Sequence, residues 1–142
     1  MRAALVRSAW AALALAACGD GGETPIDAPA ALPDTPPREV IMENVSLVVT
    51  EIAEGVLVGG PGDYARITIA APAPALDWNI HGHANGGTQV VAEELKVMTV
   101  DYVFQPAARA DWYLLLRNRG QQDMTLQLQI ELYGNMTWSG WQ

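Results

Sequence analysis

Cysteine is nearly absent from this 142-residue chain: Cys18 is the only one. No disulfide can form within the chain, so the folded part has to be held by its core alone. Basic residues are scarce too. Seven arginines and one lysine, Lys96, stand against 16 acidic residues, for a formal charge of −8. Arg2 and Arg7 lie before Cys18, so a chain cut at that cysteine keeps 6 basic residues and a charge of −10. Such a surface repels nucleic-acid backbones and excludes them as partners. Side chains suited to catalysis are also few. After Cys18 there are two serines, Ser46 and Ser139, and two histidines, His81 and His83. No nucleophile elbow accompanies them, and the glycine clusters lie in turns rather than between a strand and a helix. The chain therefore reads as a non-enzyme, with a small hydrolase as the third-ranked alternative.

What is present begins with an address. Arg2 and Arg7 precede an uncharged stretch from Ser8 through Ala17. A charged start followed by a short apolar run is the plan of a secretory signal. The run is too short for a membrane-spanning helix, which needs about 20 residues. It ends in Leu15-Ala16-Ala17-Cys18. This ending resembles the lipobox of bacterial lipoproteins. The resemblance implies that residues 1–17 are removed and that Cys18 carries a diacylglycerol on its thiol. Gly19 stands where an aspartate often retains such proteins in the inner membrane, with Asp20 one place later. The expected location is therefore the cell envelope, at the outer membrane, with the lipid anchor as the link to the bilayer. Two or more acyl chains hold firmly where one does not.

Residues 18–38 form a tether. Five of the nine prolines fall between Gly19 and Arg38, along with Asp20, Glu23, Asp27 and Asp34, and no aromatic residue does. Such a segment buries too little apolar surface to offset its ordering entropy, so disorder is expected. In a polyproline-like conformation it reaches at most about 60 Å.

From residue 39 to 142 the periodicity becomes two. Met124, Leu126, Leu128, Ile130 and Leu132 alternate with Thr125, Gln127, Gln129 and Glu131. The same alternation runs through Met98, Val100, Tyr102 and Phe104, through Leu76, Trp78 and Ile80, and through Val45, Leu47 and Val49. Ile67 and Ile69 flank Thr68, and Trp112 to Leu116 is apolar on both faces, as a central strand is. Turn signals separate these runs: Gly59-Gly60-Pro61-Gly62-Asp63, Asn85-Gly86-Gly87, Pro106 and Asn118-Arg119-Gly120. The last predicts a hairpin between its two flanking strands. The fold expected is all-β, an antiparallel β-sandwich of about seven or eight strands.

The order of the later strands supports a jelly-roll form. Tyr102-Val103-Phe104-Gln105-Pro106 is followed by Trp112-Tyr113-Leu114-Leu115-Leu116-Arg117-Asn118 and then by the alternating strand from Met124. This order is similar to small extracellular jelly-roll modules, the bacterial pre-peptidase C-terminal domain and the emp24/GOLD domain. The likeness implies a module that binds or positions partners. Ala110-Asp111 replaces the glycine those modules often carry before the aromatic-led strand.

Two candidate sites follow. Alternation places Asp77, Asn79, His81 and His83 on one strand face. Two imidazoles at i and i+2, with Asp77 adding an oxygen, form a candidate site for copper, nickel or zinc. The alternative is a solvated polar strand end running into the Asn85-Gly86-Gly87 turn. Trp138 and Trp141, beyond the last clear strand, either contact a partner or fold back to cap the sandwich. The leading expectation is a lipid-anchored envelope module that binds a protein or glycan, with no cofactor beyond the covalent lipid. The alternative is an envelope metal-binding protein.

Overall fold

A computed structural model describes residues 31–84 and 87–142. The signal, Cys18 and the first part of the tether lie outside the described residues. Nine strands follow one another: β1 (Glu39–Leu47), β2 (Ile52–Gly59), β3 (Tyr64–Ala70), β4 (Leu76–Ala84), β5 (Gly87–Val97), β6 (Thr99–Phe104), β7 (Ala110–Asn118), β8 (Met124–Tyr133) and β9 (Thr137–Trp141). The described residues contain no helix.

The strands form two antiparallel sheets, one in the order β1-β8-β3-β6 and the other in the order β5-β4-β7-β2-β9. The pairs β1–β8, β2–β7, β3–β6 and β4–β5 read as one long hairpin wrapped around a core. That wrapping is the jelly-roll arrangement, here with β9 added at one edge.

The apolar periodicity explains which face goes inward. Leu126, Leu128, Ile130 and Leu132 of β8 face Leu114 and Leu116 of β7, Leu57 of β2, and Leu76, Trp78 and Ile80 of β4 in a single core. Each such side chain contributes about 1.5–3 kcal/mol by leaving water. Phe104 and Trp112 meet edge to face across the layers, with ring centroids 5.3 Å apart. β7 is the middle strand of its sheet, as the apolar character of both its faces requires.

Three features depart from the sequence expectation. The strands number nine. Val49 falls beyond the end of β1. The Asn118-Arg119-Gly120 turn also does not close a hairpin, because β7 and β8 belong to different sheets. The physical reason is Asn118, fully buried, whose amide donates to Leu47 O at 3.1 Å and to Gln122 O at 2.9 Å. Its Oδ1 accepts from the Gly120 N–H at 2.8 Å. These bonds tie the turn to the end of β1 and send the chain from one layer to the other.

The C-terminal tryptophans close an edge. Trp138 pairs with Leu57 and Trp141 with Gly55, so both point inward although they are three residues apart. The extra residue is taken up by Gly140, whose φ of +88° suits glycine. Gly55 leaves room for the Trp138 ring, into which a Cβ would run. Trp141 Nε1 donates to Glu43 Oε2 at 2.6 Å, linking β9 of one sheet to β1 of the other.

Candidate functional site

The outer face of the five-stranded sheet carries the candidate site. On β4, Leu76, Trp78 and Ile80 are buried in the core, and Asp77, Asn79, His81 and His83 stand on the opposite face. Tyr113 of β7 is the direct cross-strand neighbour of His81. Their rings stack with centroids 5.4 Å apart and planes at 18°. His83 meets both edge-on, 5.2 Å from His81 and 4.9 Å from Tyr113. Three rings thus share one patch.

Two polar groups brace the inner ring. Glu54 of β2 reaches across β7 and sets Oε1 3.3 Å from His81 Nε2. On the other side, Asn79 Oδ1 lies 2.8 Å from His81 Nδ1. The imidazole is only 5% exposed although it stands on an outward face. Burial pushes its pKa below the ordinary 6.5, against the pull of the Glu54 carboxylate upward and with a smaller push downward from His83. The ring is therefore neutral at pH 7 and carries one proton. With Nε2–H donating to Glu54, Nδ1 accepts from the Asn79 amide, which needs only a half-turn of that side chain to present its nitrogen. His83 is exposed, and its Nδ1 lies 3.4 Å from Thr88 Oγ1.

The other expected site residues lie elsewhere. Asp77 does not join the histidines. It precedes His81 by four residues along an extended strand, about 13 Å. Its Oδ2 pairs with Arg119 Nε at 3.0 Å, and its Oδ1 accepts the Lys96 N–H at 2.9 Å. That second bond holds Lys96 at a φ of +56°, where β5 takes up an extra residue opposite Leu76–Trp78. Among the described residues, no group of three or more His, Cys, Asp and Glu comes together as a metal ion requires. Trp138 and Trp141 are half-buried against the core, 5.2 Å apart and edge to face. Ser46 shares a 3.0 Å hydrogen bond with Thr125 between β1 and β8 of the four-stranded sheet. Ser139, in β9, is three strands from β4, about 14 Å. Neither serine stands beside a histidine.

Sequence reasoning missed Glu54 and the part played by Tyr113. Glu54 meets His81 only because the sheet order places β7 between β2 and β4. Nothing in the run Ala53-Glu54-Gly55-Val56-Leu57-Val58 announces that order. Tyr113 is legible as an outward residue of a central strand, but its ring partner is not.

No known family model matches the chain, and no curated protein matches it. Among solved structures, the Yersinia pseudotuberculosis-derived mitogen superposes with a TM-score of 0.56 at 8% identity, over 76% of this chain and 96% of that one. PliG of Aeromonas hydrophila, a periplasmic lysozyme inhibitor of g-type lysozyme, superposes with a TM-score of 0.47 at 11% identity, over 74% of this chain and 94% of that one. What the chain shares with the mitogen at this identity is its fold, a small antiparallel β-sandwich.

Proposed function

We propose that this chain is a lipid-anchored lipoprotein of the cell envelope whose β-sandwich binds a protein or glycan partner through the outer face of the five-stranded sheet. The Leu15–Cys18 pattern and the acidic, proline-rich tether support the anchoring. The three-ring cluster braced by Glu54 and Asn79 supports the binding face, and it is the observation that carries the reading. Outward sheet faces are ordinarily solvated; this one fixes a neutral imidazole, a phenol and a second imidazole in a set geometry. Preorganised aromatic rings with polar tips lose little entropy on meeting a partner, whether protein or sugar.

The test compares material cross-linked to the anchored protein in its own membrane. Wild type, a Tyr113→Ala plus His83→Ala variant and a Thr125→Ala control on the other sheet are carried side by side, each checked by thermal melting. The reading expects a partner recovered with wild type and control and lost with the double variant. Equal recovery from all three removes this face from the account.

A second reading is favoured by the 5.2 Å spacing of the two imidazoles and the exposure of His83: a copper or zinc ion held by His81 and His83. His81 would have to exchange one of its two present partners for the metal. Titration with Cu²⁺ and Zn²⁺ decides it. Binding no different from that of a His81→Ala plus His83→Ala variant sinks this alternative.

A further inference from the structure

Charge is unevenly spread over the outer face of the five-stranded sheet. Residues 39–142 hold 12 acidic and 5 basic residues, and three of the acids surround the ring cluster. Glu54 touches it at His81. Asp111 precedes Tyr113 by two residues on the same face of β7, about 7 Å along the strand. Glu93 of β5 is the cross-strand neighbour of Asn79, which precedes His81 by two residues on β4, again about 7 Å. The basic residues stand further off. Arg109 and Arg117 are each four positions from Tyr113, about 13 Å in opposite directions. Arg119 pairs with Asp77, and Lys96 gives its backbone N–H to that same carboxylate, four residues from His81. Arg66 pairs with Asp101 on the other sheet.

Glu54 is the centre of this pattern. Its partner is His81, whose ring is neutral at pH 7, and its side chain remains 32% exposed. Among the described residues neither Glu54, Glu93 nor Asp111 has an arginine or lysine partner. Apolar surface lies between the acids. Val56, the cross-strand neighbour of Tyr113, points outward, and Val90, the neighbour of His81, is 51% exposed. A carboxylate beside a neutral ring keeps its full charge. An ammonium or guanidinium placed there gains both a charge-assisted hydrogen bond and the face of an aromatic ring. A neutral glycan gains nothing from the excess charge.

We propose that the partner of this face is a basic protein, one that sets an arginine or lysine side chain against Glu54 and the Tyr113–His83 rings. The inference rests on the outer face of the five-stranded sheet being the binding face, and it names the chemistry of what binds there. Glu93 and Asp111 meet further cations at the rim, and the unpaired acids draw the partner in from solution.

The test is calorimetric titration of the full-length protein, in neutral detergent, with a hexaarginine peptide and separately with hexacitrulline, its uncharged isostere. Work at pH 8 keeps ordinary histidines unprotonated. Saturable binding of hexaarginine is expected, weakened about tenfold in Glu54→Gln and about fivefold in Tyr113→Ala. It is expected to be unchanged in Glu39→Gln, which removes the same charge from β1 of the other sheet. Hexacitrulline is expected not to bind. Thermal melting checks the fold of each variant, and Asp111→Asn, at an exposed position, serves if Glu54→Gln does not fold. Equal weakening by Glu54→Gln and Glu39→Gln would mean that net charge alone attracts the peptide, and overturns the proposal. So does equal binding of hexacitrulline, or no saturable binding of hexaarginine. A face that captures its partner in the cross-linking comparison yet ignores hexaarginine overturns this inference alone and leaves the binding face standing.

Discussion

At His81 burial and charge act in opposite directions, and burial wins. The sign of the consequence follows from linkage. With its folded pKa below 6.5, the ring resists protonation in the native state, while the unfolded chain accepts a proton near 6.5. The stabilisation from a neutral His81 is therefore present above pH 6.5 and is lost as the pH falls through the folded value. The melting temperature should drop between pH 7 and about 5, the range in which histidine titrates. His81→Phe, which keeps a ring against Tyr113 without a titrating group, should flatten that drop. Equal slopes in the two proteins would contradict the assignment. Asp101 acts in a separate window: its hydrogen bond from Arg66 lowers its pKa below 3.8, so its contribution is lost only in stronger acid. The pairing of histidines on one face was legible from alternation in β4. The brace from Glu54 was not, because a contact across an intervening strand leaves no local pattern.

Strands with one buried face announced themselves, and those without did not. β8, β4, β6 and β3 alternate because their inward residues meet a core. β5 is exposed at nearly every position, so neither face is under apolar selection and no period results. β9 escaped for another reason: the bulge at Gly140 puts Trp138 and Trp141 on one side at a spacing of three, which breaks the period of two. The turn at Asn118 was legible as a turn, but turn residues do not say which sheet the next strand enters. Two predictions belong at this scale. Asn118→Ala, removing three hydrogen bonds at a buried position, should cost about 3 kcal/mol in denaturant unfolding; a loss under about 0.5 kcal/mol would mean that the crossing is held by other contacts. Trp141→Phe, which loses the Glu43 bond and keeps most of the apolar contact, should cost about 1–2 kcal/mol. Glu43→Gln should cost less, since an amide oxygen still accepts. Equal losses from the two would show that charge, not the hydrogen bond, closes this edge.

For the molecule as a whole, the layers divide the work. The four-stranded sheet and the inner faces supply stability, and the five-stranded sheet turns the ring cluster of His81, His83 and Tyr113 outward. The chain enters this body at Arg38, whose N–H bonds Leu132 O at 2.8 Å beside the start of β1. The proposed partner at the envelope presupposes a lipid anchor, and Cys18 is the residue proposed to carry it. Fractionation of cells producing wild type or Cys18→Ala, grown with a labelled fatty acid, tests it directly. Wild type should carry the label and sediment with membranes. Cys18→Ala should melt at the same temperature, carry no label, and either leave the membrane fraction or accumulate as the uncut precursor. A Cys18→Ala protein processed and membrane-bound as wild type is would contradict the account.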